Sequence, residues 1–358
     1  MRRHQVPRCV DRGAACRPCQ RPSHGAIIAA ALAVLVSACA PTVAEMGPAV
    51  IEPSFGDSKL IMADGAELPL HRWGPSAKPR AVILALHGFN ETGKSFALPG
   101  ETWAKAGITT YAYDQRGFGA APNHGLWPGT ATLVADLDVA CRLVAARHPD
   151  TPLFVLGESM GGAVVMVAFA QGLAAPTKGA ILVAPAVRGR PTLNIFARAG
   201  LWFFAHTIPW LAGRPGNLGI RPTDNIEALR ALSNDPLVIK DTRIDAVWGL
   251  VNLMDDALAA APMLDRQSLI LLGARDDLVP GEPNELLLRL LPPAGRETRR
   301  IAEYSNGYHM LLRDLQAALV QRDIAHWIAT RDADPTAPLP SGAEIRIRLP
   351  GHSASADD

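Results

Sequence analysis

The sequence is short of several things, and each shortage closes a class of explanation. Net charge is nearly absent: Lys and Arg number 35 against 34 Asp and Glu, a formal +1. A chain so balanced carries no electrostatic footprint for nucleic acid or a strongly charged substrate, and no nucleic-acid partner is expected. Cysteine is scarce, with 5 in 358 residues, and Cys9, Cys16 and Cys19 fall within the first nineteen positions. Cys16-x-x-Cys19 has no second pair nearby, so it stands as a chance spacing and not a metal or redox site. Beyond it only Cys39 and Cys141 remain, too few for a disulfide framework. No apolar run approaches the roughly 20 residues that span a bilayer as a helix. A glycine-rich phosphate loop, a Cys/His cluster at zinc spacing and an EF-hand pattern are all missing, so no metal or organic cofactor is implied.

What is present suits a globular chain: hydrophobic residues make up 48% and charged residues 19%. The length allows one large α/β domain or two small ones. Six arginines, Arg2, Arg3, Arg8, Arg12, Arg17 and Arg21, precede an apolar run from Gly25 to Val36. A basic stretch before a short apolar core is the pattern of an export signal. The run ends in Val36-Ser37-Ala38-Cys39, which looks like the lipobox of a bacterial lipoprotein. On that reading residues 1–39 are the signal and lipobox, and Cys39 is the lipidated first residue of the mature chain, tying it to a membrane. Ala40 in place of an aspartate after the cysteine favours the outer membrane, facing the periplasm. Ala38-Cys39-Ala40 also fits ordinary secretion with cleavage after Ala40, which would leave a soluble periplasmic or secreted protein. Residues 40–57, with three prolines and two glycines, are expected to be a tether. Residues 331–358, with four prolines and no apolar period, are expected to be a loosely ordered tail.

Between these ends strand and helix patterns alternate. Leu60–Met62 and Leu68–Trp73 read as a leading antiparallel pair. Ala81–Leu86 is apolar throughout, the mark of a strand buried on both faces, and Ile108–Tyr113, Leu153–Leu156, Ala180–Val183 and Ser268–Leu272 repeat it. Helical stretches such as Leu133–Arg147, which holds Cys141 as a small buried hydrophobe, and Met160–Gln171 separate them. The pattern predicts an α/β fold with a mostly parallel central sheet and helices on both faces. The core is expected at 58–187 and 266–330. In the interval 188–265 the alternation breaks and large apolar residues gather: Ile195, Phe196, Leu201 to Phe204, Ile208, Trp210 and Leu211. That reads as an inserted helical cap. Singly these side chains are expected to pack the cap on the core; together they suggest an apolar channel or a membrane-facing surface.

The chemistry centres on Gly157-Glu158-Ser159-Met160-Gly161, entered by the strand Leu153–Leu156 and left by the helix from Ala163. A serine on a strained strand-to-helix turn needs glycines at 157 and 161, where a Cβ would crowd neighbouring backbone. Ser159 at a helix N-terminus also meets amide dipoles that favour developing negative charge. A serine hydroxyl needs an adjacent base to become a nucleophile. Asp276 and Asp277 compete for the carboxylate, both just past the strand Leu269–Leu272. His309 follows the strand-like Arg299–Ala302 and precedes a helical stretch, and His326 lies in a later helix where a structural role is expected. His87-Gly88-Phe89-Asn90 follows the Ala81–Leu86 strand, with His87 as a turn residue and Gly88 letting backbone approach closely. Asp114-Gln115-Arg116-Gly117-Phe118-Gly119 sits at the same sheet edge, where loop-stabilising hydrogen bonds are expected.

With these motifs placed, residues 59–327 resemble the α/β-hydrolases, and within them the monoacylglycerol lipase and lysophospholipase branch. Gly307-Tyr308-His309-Met310, Asp276 through Pro280, and Asn234-Asp235-Pro236-Leu237 with Arg243 add to the likeness. The resemblance implies the order Ser159, Asp276, His309 for nucleophile, orienting acid and base, its Gly-x-x-Asp-x-x-Val-Pro pattern selecting Asp276 over Asp277. It also implies an oxyanion hole from the backbone N–H groups of Phe89 and Met160. The expected substrate is an ester of a single-acyl lipid, a monoacylglycerol or a lysophospholipid. A proline-iminopeptidase-type aminopeptidase shares the elbow and would need a cap carboxylate such as Glu227, Asp255 or Asp256. Acyl transfer to an alcohol and a non-catalytic lipid-binding lipoprotein are the other readings open at this point.

Overall fold

A computed structural model describes residues 40–173, 175–214, 219–295, 297–334 and 337–345. The lipobox cysteine, Cys39, lies outside them. Among the described residues nine strands form one sheet: β1 (Ser54–Phe55), β2 (Lys59–Ile61), β3 (Glu67–Trp73), β4 (Ala81–Leu86), β5 (Ile108–Tyr113), β6 (Leu153–Glu158), β7 (Thr177–Val183), and, after a separate antiparallel pair of β8 (Ala212–Gly213) and β9 (Thr242–Arg243), β10 (Ser268–Gly273) and β11 (Arg299–Tyr304). Their order is β1-β2-β3-β5-β4-β6-β7-β10-β11. The first three strands join antiparallel, and everything from β5 to β11 runs parallel. Every residue of β4, β5, β6 and β10 is buried, which is why those segments read as unbroken apolar runs and not as an alternation.

The helices are α1 (Ala97–Lys105), α2 (Thr130–Arg147), α3 (Met160–Gln171), α4 (Ile195–Ala205), α5 (Ile226–Asn234), α6 (Ile244–Ala260), α7 (Gly281–Leu290) and α8 (Ala317–Thr330). Helix α3 is buried from Met160 through Phe169 because sheet, α2 and α6 enclose it, and its sequence is accordingly apolar on all sides. Cys141 is buried on α2. The doubly covered, mostly parallel sheet is the α/β arrangement that the sequence pattern predicts.

Three segments depart from expectation. Residues 41–57 are not a free tether: Ala44 N–H donates to Trp127 O (2.8 Å), Met46 N–H to Thr132 Oγ1 (3.2 Å) and Val50 N–H to Ala63 O (2.7 Å). Ser54–Phe55 then opens the sheet as an edge strand on β2. The described tail residues 337–345 are likewise fastened: Ile345 N–H donates to Ile301 O (3.0 Å), and Glu303 N–H donates to Ala343 O (2.9 Å). They thereby cover the open edge of β11, with Leu339 buried. Both departures have one cause: these contacts run through backbone amides, which leave no mark in side-chain periodicity. The interval 188–265 is also not uniform. Helix α4 exposes its apolar residues, whereas α6 buries Ala246, Gly249, Leu253, Ala257 and Leu258 against the body and belongs to the core layer.

Candidate active site

Ser159 sits between the end of β6 and the first residue of α3 with φ 53° and ψ −116°, a strained conformation for any residue with a side chain. Three backbone bonds hold it: Ser159 N–H donates to Val183 O (2.9 Å), and its own carbonyl accepts from Ala163 (3.2 Å) and Ala186 (2.9 Å). The flanking glycines are dictated by contact. A Cβ on Gly157 would lie 2.3 Å from Gly161 O, and one on Gly161 would lie 2.2 Å from Leu86 O. The elbow therefore threads between β4 and its own helix with no room for a methyl group.

His309 and Asp276 come to Ser159 from the loops after β11 and β10. These loops touch: Arg275 N–H donates to Gly307 O (2.9 Å), and a Cβ on Gly273 would meet Tyr308 O at 2.5 Å. His309 Nε2 lies 2.8 Å from Ser159 Oγ, and Nδ1 lies 2.7 Å from Asp276 Oδ2. Asp276 is 5% exposed and His309 6%. Because Asp276 Oδ1 already accepts from Leu278 N–H (2.8 Å) and Val279 N–H (2.9 Å), its orientation is fixed before it meets the imidazole. Nδ1–H then donates to Asp276, and Nε2 is left as an acceptor for the serine hydroxyl. Burial disfavours the imidazolium, but the Asp276 charge and hydrogen bond outweigh it, and His309 titrates above the ordinary histidine value of 6.5. Asp277 points elsewhere and accepts from Arg221 N–H (3.1 Å).

The loop after β4 lies against the elbow, since a Cβ on Gly88 would be 3.5 Å from Ser159 Cβ. His87 is fully buried; Nδ1 bonds Gly88 O (2.8 Å) and Nε2 accepts from Gln115 N–H (3.0 Å). Burial holds it neutral, with a value below the ordinary one, as a turn residue requires. Phe89 follows, its ring set edge-on to Phe118 at 5.6 Å between centroids. The Asp114–Gly119 segment supports this edge: Asp114 accepts from Gly93 N–H (2.7 Å) and Ala120 N–H (2.8 Å), and Arg116 pairs with Asp64 and Asp136.

Above Ser159 and His309 opens a cavity of about 800 Å³ whose walls include Leu193, Leu211, Val247 and Met254. Its floor carries charges that the sequence pattern did not single out. Arg313 Nη2 donates to Glu91 Oε1 (3.0 Å) and Oε2 (2.9 Å) and to Glu158 Oε2 (2.9 Å). Glu158 was in view as the second residue of the elbow motif, but nothing in the sequence pairs it with Glu91 or Arg313 across such separations. The cap carboxylates considered for a peptide amine are engaged or remote. Glu227 pairs with Arg230 (2.6 Å), Asp255 with Arg190, and Asp256 is exposed; the cavity walls include none of the three.

The chain is similar to known proteins in family, in sequence and in fold. A family model described as serine aminopeptidase, S33, matches residues 77–316. The monoglyceride lipase of Rattus norvegicus is 28% identical over 291 residues, covering 76% of this chain and 90% of that protein. The monoacylglycerol lipase of Mycolicibacterium smegmatis is 25% identical over 280 residues, covering 74% and 94%. Among solved structures, the Paleococcus ferrophilus monoacylglycerol lipase superposes with a TM-score of 0.61 at 22% identity, covering 74% of this chain and 99% of that one. A soluble variant of the Saccharomyces cerevisiae monoglyceride lipase gives 0.62 at 19%, covering 81% and 97%.

Proposed function

This chain belongs to the serine aminopeptidase (S33) family and is an α/β-hydrolase similar to the monoglyceride lipases, and from that premise we propose that it hydrolyses carboxylic esters of single-acyl lipids, monoacylglycerols or lysophospholipids, through Ser159, His309 and Asp276. The observation that carries the reading is the run from Asp276 to His309 to Ser159, at 2.7 and 2.8 Å, opening onto an apolar cavity large enough for an acyl chain.

In the proposed reaction Ser159 Oγ attacks the ester carbonyl carbon while His309 Nε2 takes the hydroxyl proton. Negative charge moves to the carbonyl oxygen, where the N–H groups of Phe89 and Met160 receive it; losing one such donor typically costs about 10²–10³-fold in turnover. Asp276 fixes the tautomer and stabilises the imidazolium. Collapse of the adduct breaks the bond to the alcohol, which leaves with the proton held by His309. Water then attacks the acyl–Ser159 ester with His309 again as base, releasing the fatty acid and restoring the serine.

The relatives' names support a lipid ester, and the paired state of Glu227 and Asp255 tells against the capture of a free amine. The basic and apolar N-terminal run with Cys39 supports export and a lipid anchor that keeps the enzyme beside its substrate. The test is a panel of p-nitrophenyl esters, monoacylglycerols, a lysophospholipid and an aminoacyl-proline anilide, each run beside Ser159→Ala. Ester cleavage that drops about 10⁶-fold, to background, in the variant is the expected result. Cleavage of the anilide alone, or ester cleavage equal in both proteins, overturns the proposal.

A further inference from the structure

Arg313 gathers three loops that are far apart in the chain. Glu91 lies on the β4 loop two residues beyond Phe89, and a Cβ on Gly88 would be 3.7 Å from its carboxyl carbon. Glu158 immediately precedes Ser159 and is 2% exposed. Arg313 itself stands four residues past His309, in a turn closed by its N–H on Met310 O (2.8 Å). Asn225 Nδ2, from the residue that caps α5, holds the Arg313 carbonyl at 2.8 Å. One nitrogen of the guanidinium thus touches the loop expected to supply an oxyanion donor, the elbow and the loop carrying the base.

We infer that Arg313, with Glu91 and Glu158, is a positioning clamp that holds the Phe89 amide, Ser159 and His309 in register for the reaction. The inference rests on the hydrolase reading above.

Packing strength alone does not account for the cluster. Two carboxylates share one guanidinium, and buried pairs of this kind add little stability relative to apolar packing. Among the described residues Arg313 Nε and Glu158 Oε1 are buried without a hydrogen-bond partner. What the arrangement does achieve is a rigid cross-tie among three loops whose separation sets the distance from oxyanion donors to nucleophile to base. Misplacement of about 1 Å at such a site costs on the order of 10²-fold.

The clamp also sets the field at the base. Asp276, Glu158 and Glu91 all act on His309 to favour its charged form. Glu158 faces Arg313, Glu91, His309 and Asp314, and burial raises it to about 7 despite the guanidinium. Burial opposes ionisation of Glu91 as well, but Arg313, Ser95 and His87 hold it below the usual carboxylate value, so it is an anion at neutral pH. Making Glu91 neutral removes one charge that favours the imidazolium. The acidic limb of kcat/KM, which requires neutral His309, then moves to lower pH.

The experiment uses the full-length protein and its Arg313→Gln and Glu91→Gln variants. Reactive serine is titrated with a fluorophosphonate, so that rates refer to folded sites and the rate of labelling itself is a readout that needs no knowledge of the substrate. For Arg313→Gln the expected result is a fall in kcat per titrated site of about tenfold to a hundredfold with KM within about threefold, and slower fluorophosphonate labelling. For Glu91→Gln it is an acidic limb displaced to lower pH. Wild-type rates per titrated site with an unmoved limb reduce the cluster to a structural role. A rise in KM at unchanged kcat makes it a substrate contact instead, and either outcome overturns the inference. Should Arg313→Gln not fold, the limb in the near-isosteric Glu91→Gln decides. A wild-type protein that labels at Ser159 but cleaves no ester in the panel counts against the proposed substrate and leaves the labelling comparison to judge the clamp.

Discussion

Asp276 spends one carboxylate oxygen on two backbone amides and the other on His309, so its rotamer is settled by its own loop and not by its partner. Replacement by asparagine keeps the shape but leaves a single accepting oxygen, which can meet only one of those two demands, and puts a donor NH₂ group at the other. The imidazole is then free to adopt the tautomer whose Nε2 carries the proton and cannot accept one from Ser159. Turnover of Asp276→Asn is expected to fall about 10⁴-fold. The pH dependence should move too, and its sign is fixed: the Asp276 charge raises His309, burial lowers it, and without that charge burial has the larger say. The acidic limb therefore lies above 6.5 in the native enzyme and shifts to lower pH in the variant, which a kcat/KM profile between pH 5 and 9 reads directly. At this scale the sequence was informative where a backbone constraint forced a residue type. Gly157 and Gly161 are legible because a Cβ there collides with backbone. Asp276 was separable from Asp277 only through a family pattern, and Arg313 not at all, because a guanidinium meeting two distant carboxylates has no local signature.

At the scale of elements, burial on both faces explains what could be read. The strands β4, β6 and β10 are buried throughout and mostly apolar, and α3 is apolar all round, so their existence and order follow from hydropathy. Helix α6 was folded into the expected cap because its neighbours in sequence are irregular, although it packs on the core. Two glycines in this interval separate the environments. On α6, a Cβ at Gly249 would stand 2.4 Å from Trp127 Cγ, an aromatic ring that is itself buried. On α4, a Cβ at Gly200 meets nothing within 4 Å. Gly249→Ala is expected to destabilise the fold by about 1–3 kcal/mol through overpacking. Gly200→Ala is expected to stabilise it by up to about 1 kcal/mol, since alanine is the better helix former. Urea midpoints of the two variants should move in opposite directions from wild type, and a common direction would mean that α4 and α6 share one environment.

On the whole molecule, one face carries an unusual concentration of exposed apolar side chains: Phe196 is 85% exposed, Trp202 56%, and Ile195, Phe203 and Trp210 are exposed beside them. A soluble monomer rarely presents such a patch without a use for it. The order at 41–57 gives the patch a context that a free tether would not. Thr42 N–H lies 3.3 Å from Asp245 Oδ2, Asp245 N–H donates to Pro209 O (3.1 Å), and Ile244 N–H donates to Leu211 O (3.0 Å). The N-terminal segment is therefore fastened next to Trp210 and Leu211, and Leu211 also lines the cavity. These exposed side chains form an aromatic rim. Single lipid chains bind membranes marginally and stable attachment takes a second contact, a part the rim is suited to play. Residues 40–358, lacking Cys39, should then still bind vesicles of phosphatidylcholine and phosphatidylglycerol in a sedimentation assay. Burial of one large apolar side chain is worth about 1.5–3 kcal/mol, so Phe196→Ser with Trp202→Ser should weaken that binding by about tenfold or more. Hydrolysis of a soluble short-chain ester, which needs no bilayer, should stay within about twofold of wild type in the same protein. Equal vesicle binding by the two proteins would mean that the aromatic rim is not a membrane surface and that any attachment rests on the N-terminal segment alone.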